Sequence, residues 1–325
     1  MKYRITHTTL YQYSQAVGLC QNEARLQPRD FWRQQCQSNR LDISPKPSDF
    51  SERIDFFGNR VVYFAVQQAH TQLSVTSISD VMVFPNPGNL KLSTSLSWEV
   101  VRQQLQNVPM QLQSQIQSQQ GQSQQQPMIA EKNLEYLDVQ QYLLDSPMVT
   151  TSDALSLYAQ SSFLPNRPLL DVVQDLMQRI FNDFTYDPTF TTIATPLSDV
   201  LEHRRGVCQD FAHLAIGCLR AYGIAARYIS GYIETITDPG KQRLVGADAS
   251  HAWFSVYIPG IGWLDFDPTN NTRPNEQHIT LAWGRDYADV TPLKGIAFGG
   301  GQHALSVSVD VLRLPSDDDR CLRPR

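Results

Sequence analysis

Long hydrophobic runs are missing from this 325-residue chain. No stretch is apolar for long enough to span a bilayer. The opening MKYRITHTTLYQY alternates polar and apolar residues where a secretory leader would carry a continuous apolar segment. No membrane association is expected, and the cytoplasm is the default compartment. An excess of positive charge is missing too. Lys and Arg number 27 against 32 Asp and Glu, a formal net charge of -5, which leaves no footprint for nucleic acid or an anionic lipid face. Cysteine is scarce. Cys20, Cys36, Cys208, Cys218 and Cys321 form an odd, scattered set that makes a poor disulfide framework. No acidic cluster has the spacing of a calcium loop. His203, Cys208, Asp210 and His213 come nearest to a zinc set, but a second cysteine pair is lacking. Neither a metal nor a cofactor is expected.

What is present suits a packed core: 41% of residues are hydrophobic and 18% charged, at a length that favours two domains. Up to about residue 84 the pattern is all-β. Tyr3–His7, Leu41–Ile43 and Leu73–Ile78 alternate, Val61–Val66 is a more continuous apolar strand, and turn chemistry at Ser44–Pro47, Phe57–Asn59 and Pro85–Gly88 separates such runs. Short strands with regular breaks predict a sandwich or open barrel. Gln103–Pro127 is dominated by Gln and Ser, cannot bury enough apolar surface to offset its chain entropy, and reads as a disordered insertion. From about Leu134 to Phe184 the period becomes helical. Ser152-Asp153 supplies an N-cap region, and Leu169, Val172, Val173, Leu176, Met177 and Ile180 share one face, which reads as core.

The chemistry gathers further along. In GVCQDFAHLAIGCLRAY, residues 206–222, the apolar residues Phe211, Leu214, Ala215, Cys218, Leu219 and Tyr222 recur with a helical period, so a helix starts near Val207 or Cys208. Cys208 then sits at a helix N-terminus, where unpaired backbone N–H groups favour a thiolate and can also hold an oxyanion. Alone, a cysteine at such a place is more often a small core residue. Cys218, on the apolar stripe, is read as packing. Residues 226–234 read as a strand with Gly231 inside it. SHAWFSVYI at 250–258, the turn Pro259–Gly262 and WLDFD at 263–267 read as a hairpin that brings His251, early in one strand, beside Asp267, late in the next. A carboxylate there would fix the imidazole tautomer and leave the other ring nitrogen for the thiol. Asp265 lies on the same face as Asp267 and competes for the role. His213, about 140° around the helix from Cys208, is expected to be structural or to support the site from behind, and His203 is close enough in sequence to stay a candidate for the cleft.

These motifs resemble the bacterial transglutaminase-like superfamily. The likeness rests on GVCQDFAHL, RYISGY, ASHAWFSVYIPGIGWLDFDPTNN and HITLAWGRDYADVTPLKGIAFGGG, and on LQPR, DFFGN and TQLSV for a β-rich N-terminal domain. It implies an α+β fold: a papain-like core, in which a helix bearing the cysteine packs on an antiparallel sheet, preceded by an all-β, sandwich-like domain. The expected division is a β-rich domain over 1–95, a Gln-rich linker over 96–133, a catalytic domain over 134–315 and a tail over 316–325. The resemblance implies Cys208 as nucleophile, His251 as base and Asp267 rather than Asp265 as the orienting carboxylate. Supporting roles are expected for Gln209 at the oxyanion, Asp210 as a helix cap, Trp253 as a cover for His251, Arg227 as a positioner of Tyr or carboxylate neighbours, and Arg285 in an Arg–Asp contact near the site. The implied reaction is thiol attack on a peptide-like amide through a thioester. Hydrolysis is the first expectation, isopeptide-forming transamidation the alternative, and a non-catalytic binding scaffold the reading from another class. The partner would be a peptide or protein substrate, with the β-rich domain as the candidate surface for self-association.

Overall fold

The first strand, β1 (Lys2–Ala24), buries alternate side chains over its first ten residues, as a strand covered on one face must. In the computed structural model, which describes residues 1–85, 95–106, 137–192, 195–234 and 250–315, β1 is the axis of a seven-stranded antiparallel sheet. β2 (Gln34–Ser44), β3 (Asp49–Ile54), β4 (Arg60–Val66) and β5 (His70–Val83) lie in the order β2-β5-β1-β4-β3. The remaining two strands come from the other end of the chain. β12 (Leu293–Gly299) pairs with residues 17–24 of β1, and β13 (His303–Leu314) pairs with residues 2–13. The sequence reading grouped 293–314 with the catalytic domain; their backbone hydrogen bonds are to β1. A local alternating pattern carries no information about a partner so distant in the chain. The register of β1 against β5 is irregular between Gln12 and Val17, where its neighbours change. The sheet wraps a small core of its own around Val17, Cys20, Phe64, Leu73 and Val75, which gives the region its sandwich-like character.

The second layer is helical. Residues 98–106 are helical, and Trp98, Val101 and Leu105 enter the main core, so the ordered structure runs past residue 96, where the linker was expected to begin. Glutamine-rich neighbours hide this short apolar stripe in the composition. Most of the Gln-rich stretch lies outside the described residues. Ser152 caps α1 (Asp153–Ala159) by accepting the Leu155 N–H. On α2 (Leu169–Asp183) the predicted stripe is fully buried. After the short strand β6 (Thr185–Tyr186), α3 (Leu197–His203) and β7 (Arg205–Gly206), the chain enters α4 (Cys208–Ala221).

α4 packs on a four-stranded antiparallel sheet in the order β10-β9-β8-β11: β8 (Ala226–Ile233), β9 (Ser250–Ile258), β10 (Gly262–Phe266) and β11 (His278–Gly284). Ala252, Phe254 and Val256 of β9 join the core beneath α4. Tyr232 of β8 with Ile279 and Leu281 of β11 instead pack on Tyr3, Ile5, Val81, Val309 and Val311 of the seven-stranded sheet. The four-stranded sheet is thus covered by helices on one side and by the β-rich region on the other. Its edge strand β11 is closed by two side-chain amides from that region. Gln34 bonds both the N–H (2.8 Å) and the carbonyl (2.7 Å) of Thr280, and Asn59 does the same to Trp283 (3.0 and 2.9 Å). Each amide takes the place of a missing neighbour strand, an economical way to close an edge. Among the described residues no helix is long and apolar enough to cross a membrane.

Candidate active site

α4 begins where the sequence predicts, with Val207 as an extended N-cap residue and Cys208 in the first turn. Asp210, in that same turn, reaches back: its Oδ2 accepts the Val207 N–H (2.8 Å) and the Thr191 hydroxyl (2.8 Å). This is the predicted capping role. Burial raises the Asp210 carboxyl against the effect of those hydrogen bonds. A Cβ on Gly206 would meet Asp210 Oδ2 at 2.7 Å, so the close approach needs glycine. Cys208 itself stays half-buried, with Gln209 half-buried beside it. Cys218 contrasts with it, fully buried on the inner face, where burial pushes its thiol up to about 12.

The hairpin register decides between the two aspartates. Phe266 stands opposite Phe254 and Asp265 opposite Ser255, whose hydroxyl donates to the Asp265 carboxylate. Asp265 is therefore held four residues along β9 from His251. Asp267, fully buried, extends one residue beyond β10, and its Oδ2 accepts from His251 Nε2 at 2.7 Å. Nε2 carries the proton because it faces a carboxylate, which leaves Nδ1 for the thiol. Cys208 is within hydrogen-bonding reach of His251. Burial pushes His251 down, but its hydrogen bonds to Asp267 and Cys208, and their negative charge, outweigh burial and hold it up at about 10. Burial likewise pushes the Asp267 carboxyl up. Hydrogen bonds from His251, His278 and Asn270 outweigh it and hold the group well below the usual carboxylate range.

Two members of this cluster escaped the sequence reading. The turn after Pro268 directs the Thr269 and Asn270 backbone N–H groups at Asp267 Oδ1 (3.0 and 3.2 Å), and the Asn270 side-chain amide at Oδ2 (2.7 Å). His278 Nε2 reaches the same oxygen at 3.1 Å. Asn270 was visible only as part of DPTNN, and His278 only as the first residue of an alternating run. Among the described residues, His251, Asp267 and His278 are the single group of three possible metal ligands within 4.8 Å of one another. Both ring N–H groups already donate to the carboxylate, so hydrogen bonding accounts for the convergence without an ion.

Trp253 is fully buried, its ring centroid 6.0 Å from that of His251 and 5.3 Å from that of His278, and it covers both. His213 accepts the Tyr287 N–H (3.1 Å), and burial with the charge of Arg220 lowers it to about 3, so it is a structural acceptor and not a base. His203 is exposed and bonds the Asp199 carbonyl within its own helix. Arg227 lies between the rings of Trp263 (4.3 Å) and Trp283 (3.9 Å). Arg285 forks onto Asp289 (2.9 and 3.0 Å), not onto its neighbour Asp286, which caps α5 (Tyr287–Val290) and accepts the Met148 N–H.

A helix-borne cysteine facing a strand-borne histidine and a carboxylate on one antiparallel sheet is the architecture of the papain-like thiol enzymes. Residues 3–82 match the bacterial transglutaminase-like N-terminal region and residues 158–268 the transglutaminase-like superfamily. An uncharacterized protein of Mycobacterium tuberculosis is 41% identical over 323 residues, 97% of this chain and 94% of its own length. A protein-glutamine gamma-glutamyltransferase of Pseudomonas aeruginosa is 30% identical over 139 residues, 39% of this chain and 21% of its own length. The solved structure of a candidate cysteine protease from Cytophaga hutchinsonii shares the fold with a TM-score of 0.68 at 24% identity, over 98% of this chain and 92% of the other. The chain belongs to the transglutaminase-like superfamily, in the form that carries the bacterial N-terminal region.

Proposed function

We propose that the protein is a cysteine-dependent acyl-transfer enzyme acting on peptide-like amides, with hydrolysis as its main reaction. The observation that carries this reading is the bonding of His251, with Nε2 on Asp267 and Cys208 in reach of the ring. The Cys208 thiolate attacks the amide carbonyl carbon, and the carbonyl electrons move onto oxygen. N–H groups in the first turn of α4 have no intrahelical acceptor and point toward that oxyanion. The oxyanion collapses, the C–N bond breaks, and the proton on His251 Nδ1 passes to the leaving amine. This leaves a thioester on Cys208. Water then attacks the thioester while Nδ1 takes its proton, releasing a carboxylic acid and the thiol. Asp267 holds the imidazolium that faces the thiolate before the first step and forms again when Nδ1 deprotonates the water.

A primary amine in place of the water gives an isopeptide bond by the same steps. The partial similarity to the Pseudomonas glutamyltransferase favours keeping that second reading. Mass spectrometry of products from an amide substrate library, with and without added primary amine, separates the two. Cleavage alone selects the hydrolase and an isopeptide product the transamidase. Absence of any Cys208 acyl adduct across the library would point to a binding scaffold.

A further inference from the structure

Asp267 has more partners than one histidine requires. Two backbone N–H groups fix its Oδ1, while Oδ2 accepts from His251, Asn270 and His278. Asn270 is exposed, whereas the His278 side chain is 2% exposed and arrives from a strand of its own. Its Nδ1 faces the Asn275 backbone N–H at 3.4 Å. A nitrogen facing a donor carries no proton, so the ring proton sits on Nε2 and points at Asp267. Trp253 packs edge-on against the ring and blocks rotation out of this position. Two residues further along β11, Thr280 is gripped through both backbone groups by Gln34, in a buried pair of hydrogen bonds. Hydrogen bonds joined by one step of strand backbone therefore link the β-rich region to the imidazole: Gln34 to Thr280, along β11 to His278, then Asp267 and His251.

We infer that His278 is a positioning residue. Its Nε2–H holds the Asp267 carboxylate in the orientation that aims Oδ2 at His251, and the β-rich region sets its place through the grip of Gln34 on β11. The inference rests on the reading of Cys208, His251 and Asp267 as the reacting centre. A carboxylate torsion is soft and two-fold, so a plane fixed at both oxygens is worth most where one lone pair must face one imidazole. Without His278, Oδ2 loses its strand-borne anchor, the Asp267 carboxylate is left to the turn at 268–272, and His251 loses its fixed tautomer.

The test uses the full chain and follows iodoacetamide alkylation of Cys208 by mass spectrometry from pH 4 to 10, with Cys36 as internal reference and thermal melts on the same samples. His278→Leu removes the donor; His278→Gln keeps an N–H near the Nε2 position. Gln34→Leu removes the grip near His278, and Asn59→Leu removes the matching grip at Trp283, at the other end of β11. The expected result is a fall of about tenfold or more for His278→Leu at neutral pH, as a misplaced catalytic group gives, with a displaced pH midpoint. His278→Gln recovers most of the rate. Gln34→Leu displaces the midpoint in the same direction by less, and Asn59→Leu lowers the melting temperature with the midpoint unmoved. Superposition of the folded His278→Leu profile on wild type overturns the inference. So does a Gln variant no better than Leu, or an Asn59→Leu midpoint that moves as far as that of Gln34→Leu. If His278→Leu does not fold, nitrogen-15 spectra of the wild-type histidines decide: a His278 ring protonated at Nδ1 and bare at Nε2 overturns it. Wild-type Cys208 reacting no faster than Cys36 would instead sink the acyl-transfer reading, which is a separate outcome.

Discussion

Replacing Gly231 with alanine should damage both the fold and the site, against the usual sign for such a change. A Gly→Ala substitution in a permitted conformation commonly stabilises a protein by about 0.4–1 kcal/mol through the unfolded chain. Gly231 faces His251 on β9 and Thr280 on β11 across β8. A methyl group there would collide with the Ile279 carbonyl oxygen and stand 2.5 Å from Trp253 Cη2. Carbon atoms pack at about 3.5–4.0 Å, so roughly 1 Å must be found. Neither neighbour yields cheaply: one is backbone in a paired strand, and the other is a fully buried indole. Overpacking of this kind costs about 1–3 kcal/mol, and two rigid neighbours place this site at the upper end. The relief available is movement of Trp253, which carries the wall of the His251 and His278 rings with it. A urea titration followed by tryptophan fluorescence should show an earlier midpoint, and Cys208 alkylation should slow even where the variant is folded. A Gly231→Ala protein as stable as wild type, with unchanged alkylation, would refute the packing argument.

Other expectations follow from the same contacts. Asp267→Asn places an amide N–H among donors and disturbs the tautomer of His251; turnover of the amide substrate should fall by about 10³–10⁴-fold, while Asp265→Asn, which alters the Ser255 contact, should stay within a few-fold of wild type. The pH dependence of stability should carry a mark of His251, whose folded value of about 10 lies above the ordinary 6.5. Its protonated form contributes fully below 6.5, and that contribution is lost as pH rises through about 10, so unfolding free energies of wild type and His251→Ala should converge over that window. His7 and His213 have the opposite sign. Burial lowers them to about 4 and about 3, so stability is complete above 6.5 and declines as pH falls toward those values, a slope that His213→Asn should reduce in denaturation series between pH 6.5 and 4.

Where a local pattern and a short loop determine the outcome, the sequence is readable. The α4 stripe located Cys208 at its helix start, and the hairpin from Ser250 to Phe266 placed His251 and Asp267 side by side. The rival Asp265 was settled by register, which a count of residues along the turn could not fix. His278 and the Gln34 and Asn59 grips were illegible for another reason. The two amides join elements separated by 246 and 224 residues, and His278, only 11 residues from Asp267, looks in sequence like any other polar residue at the start of a strand. The helix at 98–106 is masked by composition, since the apolar Trp98, Val101 and Leu105 beside a glutamine-rich stretch carry little weight in an average.

The pairing of β1 with β13, Lys2 opposite Leu314 and Tyr13 opposite His303, bears on how the chain is made. A ribosome delivers β1 well before this partner. One flank of β1 therefore waits, hydrogen-bonding groups open, until nearly everything between has emerged. That late strand packs on the four-stranded sheet from the side opposite the helices. Cleavage just before Leu293 would strip one flank from β1 along most of its length and take away Val309 and Val311, which pack against the back of the four-stranded sheet. The back of the sheet that carries His251 is in this way closed by a strand remote from it in the chain.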